Sequence, residues 1–321
     1  MRPGSVESPA SAKEGGSVKT LSVLLSTSRP LSWINTAYPF AVVYWLLTRQ
    51  IDATLVVGTL FFLIPYNLMM YGINDVFDYE SDLRNPRKGG VEGALVGRHH
   101  HRSILWAAGI STAIPALALV LMNSWFSSVV LVIVLFAVYA YSAPGLRFKE
   151  VPFLDSATSA THFVGPAVYA VAVAAGRVGG EVLTAPLAAI LVAFFAWSMA
   201  SQAFGAVQDI VPDREAGLAS IATVIGARWT VRVAAIGYVL ASVCLLLGAL
   251  LAGEEAPALR GALTIASIAP LVYALSVSPW WSVSDAESET SHAGWSRFLW
   301  LNYVVGFALS MLIIVTVRYF S

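Results

Sequence analysis

Long apolar runs recur along almost the whole chain and are separated only by short polar stretches. About 18 or more consecutive apolar residues make a run long enough for a helix to cross a bilayer. Charged residues make up 12% of the sequence, whereas roughly a quarter is usual in soluble globular domains. Backbone polar groups inside lipid must pair within the protein, and a helix pairs them within a single segment. The sequence therefore predicts an all-α polytopic membrane protein.

The apolar runs predict nine transmembrane helices in a bundle around a central cavity. Their expected bounds are 31–48, 54–73, 103–122, 125–142, 154–175, 183–208, 229–252, 258–278 and 296–318. Lys and Arg are enriched on the cytoplasmic side of membrane proteins. With the N-terminus inside, the cations left on the opposite side are only Arg49, Arg177, Arg260 and Arg318. The charge distribution thus predicts a cytoplasmic N-terminus and a C-terminus on the other side of the membrane.

Residues 1–20 are polar and rich in Ser, Gly and Pro, a composition typical of disordered segments. They show no signal-peptide pattern, so we expect a disordered cytoplasmic tail over 1–20 and a single transmembrane domain over 21–321. The one cysteine, Cys244, lies within an apolar run, which predicts a packing role and not a disulfide. The formal net charge is zero, which argues against a nucleic-acid partner because nucleic acids bind basic surfaces.

Acidic residues concentrate after the second and the sixth predicted span. In the first cluster, NDVFDYESD, Asn74 and Asp75 precede Asp78 by four and three residues, and Asp82 follows it by four. Residues at this spacing project from one face of a continuing helix. Carboxylates crowded at a membrane interface repel one another and are partly dehydrated. This face is therefore expected to bind a compensating cation.

The second cluster, DIVPD, repeats the four-residue spacing with Asp209 and Asp213. Pro212 lies between them, which predicts a kink or a new helix start. By the predicted topology both clusters lie on the cytoplasmic face of a multi-pass protein of the cytoplasmic membrane. Carboxylate and amide oxygens suit Mg²⁺, which proteins commonly bind through a few carboxylates together with substrate phosphates. The pair of clusters predicts two Mg²⁺ sites.

Cations lie close to the acidic clusters on the same predicted face: Arg84, Arg87, Lys88, Arg147 and Lys149. Metal ions and cations together can share the charge of a diphosphate, and an apolar helix bundle suits an isoprenoid tail. Ionisation of such a substrate leaves an allylic cation, which needs a dry pocket and is stabilised by aromatic faces. Aromatic side chains near the polar layer are Tyr66, Tyr71, Tyr139, Tyr141, Trp197 and Phe204.

These segments resemble the motifs of the UbiA-type intramembrane prenyltransferase superfamily. NDVFDYESD matches the first aspartate-rich motif, N-D-x-x-D-x-x-x-D, and DIVPD followed by GLASIATVIG is similar to the second, D-x-x-x-D. YSAPGLRFK resembles the segment between the two motifs, and SRPLSW, which contains Arg29, resembles the start of the first span. The resemblance covers about residues 27–318, in the expected order, and implies nine spans and an Mg²⁺-dependent transfer of a prenyl group.

The resemblance also implies roles for the matching residues. One Mg²⁺ would be bound by Asn74, Asp75, Asp78 and Asp82, and the other by Asp209 and Asp213. Catalytic residues besides these acids would be Lys149 and Tyr141. Candidate substrate-binding residues are Arg29, Tyr71, Asn74, Arg84, Arg87, Lys88, Tyr139, Arg147, His162 and Phe204. Many members of the superfamily carry a third acid four residues after the second motif, where this chain has Gly217.

The stretch after the first motif indicates the acceptor. LRNPRKGGVEGALVG, joined to YGINDVFDYESD, looks like the corresponding segment of lycopene elongases. That likeness implies transfer of a dimethylallyl group from dimethylallyl diphosphate to lycopene in fifty-carbon carotenoid biosynthesis. One alternative is a UbiA-type enzyme that acts on a quinone precursor, a chlorophyll-type molecule or a lipid. A more distant alternative is a cation-coupled transporter, because acids in membranes often mark ion pathways. The sequence leaves open whether a partner subunit is needed.

Three further polar features have more than one interpretation. The HHH run at 99–101 lacks metal-ligand spacing, so we interpret it as part of an interfacial segment. His162 lies within the fifth predicted span, where it could accept a proton, line the acceptor pocket or pack as a neutral, hydrogen-bonded side chain. Asp155, at the start of that span, could cap the helix or pair with Lys149.

Overall fold

Every regular element in the residues that the computed structural model describes, 20–83, 95–179 and 181–320, is a helix. The α-helices are α1 (20–27), α2 (Trp33–Thr48), α3 (Ala53–Leu63), α4 (Pro65–Phe77), α5 (Tyr79–Asp82), α6 (Arg98–Met122), α7 (Trp125–Ser142), α8 (Leu154–Ala175), α9 (Ala185–Val207), α10 (Ile210–Ala216), α11 (Ile221–Ile225), α12 (Ala227–Leu251), α13 (Pro257–Ala266), α14 (Ile268–Val277) and α15 (His292–Phe320). Short 3₁₀ helices lie at Pro30–Ser32, Phe148–Glu150, Ser278–Trp280 and Asp285–Ser291. The all-α prediction is confirmed. Arg84, Arg87 and Lys88, which the sequence predicts to bind substrate, lie outside the described residues.

Eight stretches of the described residues are long and apolar enough to cross a membrane. They are Ala53–Phe77, Arg98–Met122, Trp125–Ser142, Leu154–Ala175, Ala185–Val207, Ala227–Leu251, Pro257–Trp280 and Asp285–Tyr319. The first predicted span corresponds to α2, whose 16 residues fall short of the roughly 20 that cross the hydrocarbon core. The structure thus establishes a multi-pass helical protein, with eight spans by length where the sequence predicted nine.

Two of the predicted spans are interrupted. The second consists of α3 and α4, which meet at Ile64, directly before Pro65. Proline has no backbone N–H and is tolerated in the first turn of a helix, so a new helix begins there. The eighth predicted span is divided between α13 and α14 at Ser267. The hairpin expected between the third and fourth spans is confirmed, because α6 ends at Met122 and α7 begins at Trp125.

The bundle has two aromatic cores, one in each half of the chain. Phe40, Phe62, Tyr66 and Tyr169 pack together in the N-terminal half. The corresponding core of the C-terminal half is formed by Trp197, Tyr238, Tyr273, Trp295 and Phe298. Helix α8 packs against both α2 and α9 and thereby joins the halves. It is the most enclosed span, with 78% of its apolar window buried.

A polar network closes one end of the bundle. The Arg177 guanidinium donates hydrogen bonds to Tyr44 Oη at 3.1 Å and Asn123 Oδ1 at 2.9 Å, and it forms an ion pair with Asp52. The Tyr44 hydroxyl also donates to Asp52 at 2.8 Å. These contacts tie α2, the start of α3, the α6–α7 turn and the end of α8 together. The acidic clusters lie at the other end of the same helices.

Candidate active site

The first acidic motif lies where α4 ends. Helix α4 stops at Phe77 and α5 resumes at Tyr79, so the predicted continuous helix is interrupted at Asp78. The predicted spacing survives, because the Asp82 N–H still donates to the Asp78 carbonyl at 2.8 Å. Asp75, Asp78 and Asp82 are 1%, 4% and 8% exposed, so this motif is a buried group of acids and not a solvated helix end.

An amide links the first motif to α7. The Asn74 Nδ2 group donates to an Asp78 carboxylate oxygen and, at 3.0 Å, to the Ser142 hydroxyl at the last residue of α7. The ends of α4 and α7 are therefore held side by side. Burial raises the pKa of Asp78 above its ordinary value, although the nearby Lys149 ammonium acts to lower it. A dehydrated carboxylate of this kind binds cations strongly.

Cations from two other segments contact these acids. Arg29, which precedes the Pro30–Ser32 turn, places Nη2 2.9 Å from Asp75 Oδ1, and its guanidinium lies 4.1 Å from the Tyr71 ring centroid. Lys149 forms an ion pair with Asp78, and Arg147 Nη2 lies 3.5 Å from the other Asp78 carboxylate oxygen. The structure thus brings Arg29, Arg147 and Lys149 to the first motif.

The YSAPGLRFK segment folds into a tight reversal that positions these two cations. Helix α7 ends before Pro144, and the N–H groups of Leu146 and Arg147 both donate to the Ala143 carbonyl. Gly145 and Arg147 adopt left-handed backbone conformations, with φ of 87° and 43°. The chain therefore turns back under α4, where Arg147 also contacts Glu150.

The second acidic motif lies across the break between α9 and α10. The predicted restart is confirmed, but it occurs at Gln208 and Asp209, and Pro212 lies within the first turn of α10. The Asp213 N–H donates to the Asp209 carbonyl at 2.9 Å, which sets the two acids one turn apart. Both side chains are half-buried.

Gly217 explains why the second motif lacks a third acid. This residue ends α10 with φ of 72°, a left-handed conformation, and the next N–H, from Leu218, donates to the Asp213 carbonyl at 2.8 Å. Glycine is the residue that helix ends of this type favour. The Arg214 guanidinium, adjacent to this motif in sequence, instead contacts Asp285 Oδ2 at 2.8 Å and the Thr223 carbonyl at 2.7 Å.

Tyr141, at the end of α7, lies within electrostatic range of acids from both motifs. Its hydroxyl lies close enough to the carboxylates of Asp78 and Asp213 for both charges to act on it. The Asp155 carboxylate, which is 2% exposed, also lies within electrostatic range of the Tyr141 hydroxyl. The Asp155 carboxylate accepts from the Ser156 N–H at 2.7 Å and from the Ile221 N–H at 2.8 Å. It therefore attaches α8 to the segment after the second motif, and among the described contacts it does not pair with Lys149.

Three other residues that the sequence predicts to bind substrate, Phe204, His162 and Tyr139, lie in three different environments. Phe204 is 1% exposed and its ring centroid lies 6.0 Å from that of Trp280, within the C-terminal core. His162 is buried, with Nε2 3.4 Å from the Ala137 carbonyl and its ring edge-on to Tyr141 at 5.0 Å, a geometry that favours the packing interpretation. Tyr139 is 46% exposed on the outer side of α7.

Two polar residues near the site were missed by the sequence reasoning. The Ser159 hydroxyl of α8 donates to Gln202 of α9, and the Gln202 amide in turn donates to Tyr141. Ser159 lies four residues after Asp155 and Gln202 seven residues before Asp209, spacings that place each on the helix face of its acid. That periodicity is the signal that would have identified them.

The donor set of the motifs suits a hard divalent cation. Within residues 20–83, 95–179 and 181–320, no three acidic, histidine or cysteine side chains converge closely enough to hold a metal ion by themselves. Mg²⁺ is usually bound through one or two carboxylates together with water and substrate phosphates. Buried carboxylates that contact Arg29, Arg147 and Lys149 fit such a shared arrangement, because phosphate oxygens would complete the coordination and satisfy the cations.

The chain is a bundle of apolar helices with an acidic motif at the ends of two of them and with cations in contact with the buried acids of the first motif. The model of the UbiA prenyltransferase family matches residues 36–302, and the chain belongs to this family. The predicted superfamily resemblance is confirmed, and the protein is an intramembrane prenyltransferase.

Similar proteins agree with this assignment. The chain is 47% identical over 300 residues to the lycopene elongase/hydratase of Corynebacterium glutamicum, covering 92% of this chain and 98% of that protein. It is 48% identical over 319 residues to the C(50) beta-cyclic carotenoids biosynthesis protein LbtBC of a Dietzia species, covering 99% of this chain and 70% of that protein. A UbiA homolog from Archaeoglobus fulgidus, solved bound to DMAPP and Mg2+, has the same fold, with a TM-score of 0.66 at 18% identity over 88% of this chain and 98% of that chain.

Proposed function

We propose that this protein transfers a dimethylallyl group from dimethylallyl diphosphate to lycopene in the synthesis of fifty-carbon carotenoids. The observation that carries the proposal is the contact of Lys149 and Arg147 with the buried carboxylate of Asp78. Buried ion pairs carry a desolvation cost, and ionisable residues buried in membrane proteins usually mark functional sites. The lycopene elongase/hydratase relative supports the carotenoid acceptor.

In this proposal the two motifs hold the diphosphate through metal ions. Asn74, Asp75, Asp78 and Asp82 would hold one Mg²⁺, and Asp209 and Asp213 the other. When bound, Mg²⁺ would neutralise charge on the leaving diphosphate. Lys149, Arg147 and Arg29 would turn from the carboxylates to phosphate oxygens, because a diphosphate offers them more negative charge than a carboxylate does.

The protein's own side chains then control the allylic cation. The bond between the allylic carbon and the diphosphate oxygen breaks, and its electron pair leaves with the diphosphate. The terminal alkene of the acceptor attacks the allylic carbon, which forms the new carbon–carbon bond. The rings of Tyr71 and Tyr141 lie beside the acids and would present their faces to the cation. The enclosed α8 would exclude bulk water from this step.

We further propose that the acidic layer faces the cytoplasm. The end of the bundle that carries the motifs also carries Arg29, Arg98, Arg102, Arg147 and Lys149, whereas the opposite end carries Arg177 and Arg49. The enrichment of cations on the cytoplasmic side supports this orientation.

The proposed function is tested with purified protein in lipid nanodiscs. Lycopene, isotope-labelled dimethylallyl diphosphate and Mg²⁺ should give labelled forty-five- and fifty-carbon carotenoids, and chelation of Mg²⁺ should remove them. A parallel panel offers a quinone precursor, a chlorophyll-type acceptor and a lipid acceptor. Prenylation of one of those acceptors without any labelled carotenoid would overturn the carotenoid proposal and retain prenyl transfer. Cation flux without any transfer would favour the transporter alternative.

A further inference from the structure

We propose that Ser159, Gln202 and Tyr141 form a water-binding site that determines how the final carbocation is quenched. This inference rests on the proposed prenyl transfer to a terminal alkene. These three side chains, termed the polar bracket, would hold one water molecule next to the tertiary cation that the acceptor becomes. They would position that water, and a water held next to the cation favours a hydroxylated product over an alkene.

The polar bracket joins three helices beneath the acidic layer. Ser159 Oγ of α8 donates to Gln202 Oε1 of α9 at 2.9 Å, and Gln202 Nε2 donates to Tyr141 Oη of α7 at 3.4 Å. Ser159 is 6% exposed, whereas Gln202 and Tyr141 are half-buried. Both longer side chains therefore retain accessible surface although they lie between packed helices. This accessible surface is where a small polar molecule can bind.

The bracket has hydrogen-bonding capacity beyond its own contacts. The amide of Gln202 carries two N–H groups, and its described contacts use one of them, on Tyr141. The Tyr141 hydroxyl accepts that bond, and within the described contacts its own hydrogen has no acceptor. Buried water is retained where two to four polar groups can bind it. The second amide N–H, the Tyr141 hydroxyl and the Ser159 hydroxyl oxygen supply that number.

The surroundings of the bracket offer few other polar partners. His162 of α8, whose ring centroid lies 5.0 Å from that of Tyr141, directs Nε2 to the Ala137 carbonyl, and the carboxylate of Asp155 on the same helix accepts from backbone N–H groups. The other polar pair on α9, Ser201 with Tyr238, forms a separate contact toward α12 at 3.1 Å. Hydrogen-bonding groups within an apolar span are costly to bury. A cluster that connects three helices therefore indicates a ligand-related role.

Two members of the bracket lie deeper in the bundle than the acids of their helices. Ser159 lies four residues from Asp155 and Gln202 seven residues from Asp209, which corresponds to about 6 and 10 Å along a helix at 1.5 Å per residue. Tyr141 connects these two residues to the acidic layer. In this inference the water binds on the side of the bracket toward the bundle interior, where the tertiary carbon of the acceptor would lie.

The quenching step balances with water as co-reactant. Attack by the acceptor alkene leaves a positive charge on its tertiary carbon. The oxygen of the bound water donates an electron pair to that carbon, which forms a carbon–oxygen bond and an oxonium. The oxonium loses one proton by way of the Tyr141 hydroxyl, which lies within electrostatic range of Asp78 and Asp213, to the diphosphate released in the same turnover. Without the water, the cation instead loses a proton from an adjacent carbon and becomes an alkene.

The test is a product ratio measured with oxygen-labelled water. Wild-type protein in nanodiscs is incubated with lycopene, dimethylallyl diphosphate and Mg²⁺ in H₂¹⁸O, and mass spectrometry gives the ratio of ¹⁸O-hydroxylated to dehydrated prenyl products. Gln202→Leu keeps a similar shape and removes the amide, so we expect this ratio to fall about tenfold. Ser159→Ala should lower it about threefold, since it removes one hydrogen bond of the bracket.

Ser201→Ala is the matched control. It lies one residue from Gln202 and removes a hydroxyl that donates to the Trp197 carbonyl and accepts from Tyr238, so the ratio should remain that of the wild type. Wild-type products without ¹⁸O, or an unchanged ratio in Ser159→Ala and Gln202→Leu, would overturn the inference while prenyl transfer stands. If Gln202→Leu does not fold, Ser159→Ala decides the question. Absence of any prenylated carotenoid from the wild type would instead refute the proposed function.

Discussion

The two acidic motifs lie at comparable helix ends, yet different contacts hold them in place. In the first motif, Asp75 and Asp78 are buried, and each contacts a cation that is distant in sequence. In the second, backbone hydrogen bonds within one turn set the geometry of Asp209 and Asp213. Arg214, the cation adjacent to the second motif, contacts other groups.

The two motifs thus show two ways in which a fold can hold a metal-binding carboxylate in position. A buried carboxylate requires charge compensation, so removal of one partner leaves an uncompensated charge. A half-buried carboxylate on a helix restart depends on the turn that carries it. Side-chain changes should therefore have large effects at the first motif, and backbone changes at the turn should affect the second.

The largest effect is expected from Asp78→Asn. This change preserves shape but removes the charge that contacts Lys149 and Arg147, and we expect kcat/KM for prenyl transfer to fall by about 10³-fold. Glu80→Gln is the matched control, because Glu80 is an exposed acid two residues away whose described partner is the exposed Arg98. A radiolabel transfer assay compares the two. Near wild-type turnover of Asp78→Asn would remove the first motif from the site.

Lys149→Met should have the next largest effect. Loss of one cation that balances the diphosphate is expected to lower kcat/KM by about 10²-fold, with a rise in KM for dimethylallyl diphosphate. Arg98→Met is the control, since its guanidinium is exposed and lies outside the buried layer. Equal losses in both variants would mean that general surface charge, and not the contact with Asp78, is responsible.

Gly217→Ala tests whether the backbone conformation at the end of α10 supports the second motif. A non-glycine residue in the left-handed conformation costs about 1–2 kcal/mol, so the free energy of unfolding should fall by that amount. Gly261→Ala, in α13 with open space around its Cβ position, should leave stability unchanged or raise it. Detergent-solubilised thermal unfolding measures both. An unchanged unfolding midpoint for Gly217→Ala would contradict the requirement for glycine at this helix end.

Arg214→Ala should have the smallest effect. Its contacts with Asp285 and the Thr223 carbonyl are partly exposed, and such contacts are worth about 1 kcal/mol or less. We expect a small loss of thermal stability and a change of kcat/KM within about threefold, as for a structural residue. Arg228→Ala, an exposed neighbour, is the control. A loss of kcat/KM comparable to that of Lys149→Met would identify Arg214 as a diphosphate ligand. Both motifs would then depend on a nearby cation.

Much of the architecture could be predicted because it depends on local properties of the chain. Apolar runs of sufficient length must be helical in lipid, so the multi-pass helical protein and the α6–α7 hairpin followed from the sequence. Helical spacing likewise placed Asn74, Asp75 and Asp78 within one turn. The resemblance of the two aspartate-rich motifs and of YSAPGLRFK to those of known proteins also identified the UbiA family.

The partners of those acids depended on the tertiary structure. Contacts of Arg29 with Asp75, and of Lys149 with Asp78, join residues 46 and 71 positions apart, and no local pattern encodes such pairings. The role of Asp155 in binding the Ile221 N–H, and the polar bracket of Ser159, Gln202 and Tyr141, likewise arise only where helix ends meet. Periodicity determines which face a residue occupies, whereas the packing of α4, α7, α8 and α9 determines what that face contacts, because side chains distant in sequence become neighbours only after the bundle forms.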